Sequence, residues 1–128
     1  MPWNDERPMS PHLQVYDLPL TANLSILHRG TGAVLLFGLI LLVVVLLTLI
    51  SGEESWAVLH NLLQSWFGLI VLWGFIFSLY YHMCNGIRHL FWDSGHYMEK
   101  SSLKKTGFMV IFGSILLTVF TCSIPFLI

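Results

Sequence analysis

From Gly30 to Ile50 the chain runs 21 residues without a charge, and from Thr106 to Ile128 it runs another 23. A helix of ~20 residues, rising 1.5 Å per residue, crosses the ~30 Å hydrocarbon core of a bilayer. Inside that core no water pairs with backbone N–H and C=O groups, so a single spanning segment has to be helical. A third apolar run, from Leu62 to Asn85, is loaded with aromatics and ends in ionisable residues. With 55% hydrophobic and only 10% charged residues, the chain is too apolar for a water-soluble domain of its size. The pattern predicts an all-α membrane protein with three transmembrane helices, spanning about 24–50, 62–91 and 106–128 within residues 21–128.

Residues 1–20 form a polar arm holding four of the five prolines (Pro2, Pro8, Pro11 and Pro19), a density that favours extended or turn-rich backbone. Trp3 and Tyr16 are suited to the headgroup level. The start, MPWNDERPM, lacks the apolar core of a secretory signal and the Arg/Ser-rich character of a transit peptide. Thr21 is expected to cap the first helix, Ser51 to Ser55 to form a short acidic loop, residues 56–61 to be amphipathic and interfacial, and Gly95 to stop the second span. Residues 96–105 read as a basic loop. All six Lys and Arg residues (Arg7, Arg29, Arg88, Lys100, Lys104 and Lys105) fall on the side of the arm and that loop. The positive-inside rule then puts the N-terminus in the cytoplasm and the C-terminus outside. Cys84 and Cys122 are isolated, with no C-x-x-C-H, zinc or iron–sulfur spacing. The near-zero net charge argues against nucleic acid.

The chemistry concentrates at the end of the second span. His82, Arg88, His89 and Asp93 arrive within twelve residues, and ionisable groups at a membrane boundary are costly unless they face a partner or a cavity. His82 and His89 lie on one face about 10 Å apart, and Gly74, Ser78, His82 and Gly86 form one ridge at a spacing of four. A histidine between small residues leaves a flat slot against the helix. It suits either a haem beside an axial imidazole or a tight helix–helix contact with His82 hydrogen-bonded across it. His60, 22 residues upstream, falls about 33 Å away and is no second ligand to the same iron. A six-coordinate haem would therefore draw its other ligand from another polypeptide. His12 and His96 are surface residues only. On the first helix, Ser25, His28 and Arg29 sit at the same membrane edge, and a half-apolar, half-charged pocket there suits a quinone. Ser25 and Arg29 supply donors for a quinone carbonyl. Asp93 is either a proton relay or an ion-pair partner of Arg88 or Arg29. Arg88, His89, His28 and Arg29 are all candidates to pair with haem propionates.

Two stretches resemble a known family. Arg7-Pro8-Met9-Ser10-Pro11-His12-Leu13, followed by Ser25-Ile-Leu-His28-Arg29-Gly-Thr31, resembles the first signature of the cytochrome b subunit of succinate dehydrogenase. His82-x-x-x-Gly86-Ile-Arg88-His89-Leu-Phe-Trp-Asp93-Ser-Gly95 resembles the second. The resemblance implies a helical bundle completed by a second small membrane-anchor subunit, which together fasten an iron–sulfur subunit and a flavoprotein subunit to the lipid of a bacterial inner membrane. It implies haem b with His82 as axial ligand, the other ligand coming from the second anchor. It also implies ubiquinone reduction near Ser25, Arg29 and Asp93, with His28 and Arg29 close to the propionates. Succinate oxidation itself would belong to another chain. Two alternatives remain at this point: the anchor of a fumarate reductase working on menaquinone, and a haem-free structural membrane protein.

Overall fold

The computed structural model describes residues 17–124, so Trp3, Arg7, His12, Tyr16 and Pro125 lie outside the described residues. The described chain forms four helices: α1 (Leu20–Ser51), α2 (Glu53–Gln64), α3 (Trp66–Asp93) and α4 (Lys100–Ser123). Of these, α1, α3 and α4 are long and apolar enough to cross a membrane.

Several boundaries differ from those read off the sequence. Pro19, not Thr21, is the N-cap of α1, and no side chain caps it. The acidic loop shrinks to Gly52, whose φ of 107° turns the chain directly from α1 into α2. Glu53 and Glu54 then fall in the first turn of α2, where carboxylates complement the helix dipole. Residues 56–61 belong to this separate α2 and are not continuous with the second span. The break is made by Ser65 (ψ 160°), whose hydroxyl accepts from Gly68 N at 3.1 Å and donates to Leu62 O at 2.6 Å. Gly68 is required there, because a Cβ would press on the Leu62 and Leu63 carbonyls. At the other end α3 closes as the sequence predicts. Gly95 (φ 81°) donates to Trp92 O at 2.8 Å and His96 N to Phe91 O at 2.9 Å, the pair of bonds of a Schellman stop. Helix α4 begins at Lys100, inside the expected basic loop, which is left as residues 94–99.

Helix α3 is the centre of the bundle. Leu24 of α1, Tyr81 of α3 and Val110 of α4 form the buried core, with Leu20, Phe77, Cys84 and Ile111 packed against it. The Tyr81 hydroxyl donates to Leu24 O at 2.9 Å, so α3 is tied to α1 by a buried hydrogen bond. Small residues bring the backbones close: the Phe75 ring occupies the space a Cβ on Gly38 would need, and Leu24 and Leu20 sit over Gly107. These contacts bring the start of α1, the end of α3 and the start of α4 to one end of the bundle.

Candidate functional site

At that end α1 and α3 bring three histidines together. The rings of His28 and His82 stack with centroids 4.0 Å apart and planes 14° from parallel. His89 lies 5.4 Å from His28, and its other side meets the edge of Trp92 at 4.9 Å. Spacing explains the set, since His82 and His89 share one face of α3 and His28 meets that face from α1. His82 Nδ1 lies 3.2 Å from the backbone carbonyl of His28 and 3.3 Å from Thr31 Oγ1. The ring is pressed against α1 where Gly32 leaves room, because a Cβ there would stand 3.2 Å from His82 Cε1. His28 Nδ1 is buried without a hydrogen-bond partner.

On the same turns of α1, Ser25 is half-buried and Arg29 exposed, four residues apart and therefore on neighbouring turns of one face. Asp93 is exposed at the last position of α3. His60 lies in α2, 3.3 Å from Gln64 Nε2 and beside Trp56, and His96 contacts the Ser94 hydroxyl at 3.0 Å. Neither joins the three histidines.

Arg88 faces α4 instead. Six residues after His82 it sits about 120° around the helix, and only 4% of it is exposed. Its guanidinium donates to Thr106 Oγ1 at 3.1 Å, to Leu103 O at 3.1 Å and to Asn85 Oδ1 at 3.3 Å, and it lies 4.0 Å over the Trp92 ring. This is a buried cation held by three acceptors and an aromatic face, a clamp between α3 and α4. A cavity of about 400 Å³ opens on this side of α3 beside Arg88, Cys84 and Met109; none of the three histidines lines it. Sequence reasoning gave no role to Asn85, Thr106, Trp92, Tyr81 or Thr31. A sharper reading of helical phase around Arg88 was the available signal for the first three.

Among the described residues no three His, Cys, Asp or Glu side chains converge as a cage for a metal ion.

The family model described as succinate dehydrogenase/fumarate reductase transmembrane subunit matches residues 4–121. The chain belongs to this family. It is therefore a transmembrane subunit of the succinate dehydrogenase and fumarate reductase group, and every site residue above falls inside the matched segment. A succinate dehydrogenase cytochrome b556 subunit from Paracoccus denitrificans is 40% identical over 120 residues, covering 94% of this chain and 92% of the relative. One of the same name from Rickettsia felis is 38% identical over 122 residues, covering 90% of each. A succinate dehydrogenase cytochrome b560 subunit from Reclinomonas americana is 36% identical over 113 residues, covering 84% and 78%.

Proposed function

We propose that this succinate dehydrogenase anchor holds a b-type haem on His82 and contributes Ser25 and Arg29 to a ubiquinone-reduction site. A second small anchor would supply the other axial ligand. An iron–sulfur and a flavoprotein subunit would deliver electrons drawn from succinate. The observation that carries the reading is His82. Its Nδ1 is engaged by α1, and neither contact falls on Nε2. Around it the residues fit a haem. The ridge is open, since a Cβ at Gly74 or Gly86 would meet nothing within 4 Å. His28, stacked on His82, keeps a buried ring nitrogen, Nδ1, without a partner among the described residues, and buried polar atoms are seldom left so. The haem name of the relatives points the same way.

A bound haem would supply a one-electron store beside the quinone site. His28, His89 and the exposed Arg29 would pair with its propionates, and Arg88 would not, because its guanidinium is committed to α4. Ser25 and Arg29 would donate to a quinone carbonyl, stabilising the negative charge that grows on that oxygen as electrons arrive. Reducing the quinone consumes two electrons and two protons, and Asp93, at the open end of α3, is placed to pass protons in. The arm and the loop after α3 would face the cytoplasm.

The reading is tested by a reduced-minus-oxidised spectrum of the co-purified complex with its subunits identified. His82→Leu should abolish the reduced α-band and the low-spin bis-histidine resonance. An unchanged spectrum in that variant removes His82 as ligand. The family description also names fumarate reductase, so the haem midpoint potential and the quinone extracted with the complex decide between that direction and this one.

A further inference from the structure

We propose that Thr31 is a positioning residue for His82, holding together with the His28 carbonyl the tautomer and ring orientation that leave Nε2 free for the iron. The inference rests on the haem reading above and goes beyond it to the group behind the ligand. Thr31 is 4% exposed, and together with Leu24 it is one of the two buried residues of α1. Its hydroxyl lies 2.9 Å from His28 O and 3.3 Å from His82 Nδ1. A carbonyl only accepts, so the Thr31 proton goes to His28 O, and the Thr31 oxygen is left with lone pairs alone. The other atom facing His82 Nδ1 is that same carbonyl, at 3.2 Å. Both neighbours are thus acceptors, and Nδ1 has to carry the ring proton. Nε2 then holds the free lone pair, which is the form of imidazole that binds iron.

The seat is rigid as well as polar. Threonine is stiff at χ1, and its bond back to the His28 carbonyl locks the oxygen in place. The next residue, Gly32, lets the imidazole approach until its Cε1 would stand 3.2 Å from a Cβ. The ring is held on one edge by two acceptors and against the backbone by the absence of a side chain. An acceptor at Nδ1–H raises the basicity of the ligating nitrogen and favours the ferric iron, and loss of such partners typically weakens metal binding about 10- to 100-fold.

The test compares Thr31→Val, Thr31→Ser and His82→Leu in the intact complex purified from membranes at matched subunit content. Thr31→Val keeps shape and volume and removes one of the two acceptors, leaving the His28 carbonyl. Its haem should transfer to a scavenging apoprotein about 10-fold faster, and its midpoint potential should move positive. Thr31→Ser keeps the hydroxyl and should stay near the parent in both measurements. Overturning results are a Thr31→Val complex that matches the parent in haem transfer and potential, or a Thr31→Ser complex that shifts as far as Thr31→Val. The latter would assign the effect to the methyl group. His82→Leu separates this from failure of the haem reading itself: if its spectrum is unchanged, iron is not on His82 and Thr31 has no ligand to position.

Discussion

Replacing Arg88 with methionine should weaken the bundle without touching the haem. The guanidinium makes three hydrogen bonds, but their loss is not felt equally. Thr106 keeps its hydroxyl proton shared between Ser102 O at 2.9 Å and Leu103 O at 3.3 Å, and Leu103 O also lies within the α4 backbone ladder. Asn85 has no such reserve. It is 0% exposed, and its Nδ2 already lacks a partner. Removing Arg88 strands its Oδ1 as well, and a buried amide oxygen left unpaired costs about 1–3 kcal/mol. Loss of the contact over Trp92 adds about 1 kcal/mol. Relief from desolvating a guanidinium acts in the opposite direction. The net expectation is a loss of about 2 kcal/mol, equivalent to about 30-fold in the unfolding equilibrium. Asn85→Leu in the Arg88→Met background removes the stranded group, so the double variant should recover most of that loss and give a coupling of roughly 2 kcal/mol. Denaturant-induced unfolding of the detergent-purified complex measures the cycle, and haem content per complex is read on the same samples. Additive costs, or an Arg88→Met variant as stable as the parent, would refute the clamp. A variant that is stable but has lost haem would return Arg88 to the haem side.

At the quinone site, Arg29→Leu should depress succinate–quinone activity more than Ser25→Ala. A charge-assisted donor is roughly twice as strong as a neutral one, and both variants should leave succinate–dye activity nearly intact. If both activities fall together, these residues serve assembly. Gly68→Ala should lower the unfolding midpoint, because its Cβ would press on two backbone carbonyls that cannot step aside. Overpacking of this kind costs about 1–3 kcal/mol, and an unaffected midpoint would argue against the break at Ser65. A reporter fused after Ile128 should read as periplasmic and one inserted in residues 96–99 as cytoplasmic; the reverse pattern would turn the whole site to the other face.

The three spans were legible because a charge-free run of 20 residues has few other fates, and the end of α3 was legible because Gly95 is the residue a Schellman turn needs. The break at Ser65 was not. One serine in an aromatic run is an ordinary interior residue until its ψ turns extended and its hydroxyl takes the Gly68 amide. The early start of α4 was missed because hydropathy marks where hydrocarbon begins, while the helix extends beyond it through Lys104 and Lys105 to Lys100. The meeting of His28, His82 and His89 followed from helical phase plus the antiparallel pairing of α1 with α3. Arg88 was grouped with them by its depth, about 9 Å along the helix from His82 at the membrane edge, although six residues also turn it about 120° away from that face. Thr31 stood in the quoted motif without a role, because its role depends on a carbonyl of another residue and an imidazole from another helix.

Exposed apolar surface says little about where another subunit would sit. Leu36, Ile40, Val43, Leu47 and Ile50 of α1 are all exposed. In water they would drive association, but lipid tails are as apolar as leucine and leave them at no cost. Polar atoms discriminate, since an unpaired polar group facing hydrocarbon costs several kcal/mol. Helix α3 carries two such faces. At Asn85 and Arg88 the chain's own α4 engages the guanidinium through Thr106 and the Leu103 carbonyl, while Asn85 Nδ2 and Trp92 Nε1 keep no partner among the described residues. The face at His82 meets α1 on one side, and a Cβ at Gly74 or Gly86 on it would meet nothing within 4 Å. On the proposed reading, the Arg88 cation is satisfied within this polypeptide, and the His82 face is left for the haem and the anchor that shares it. That is why the glycine-lined ridge, rather than the more apolar length of α1, is where the second subunit should approach most closely.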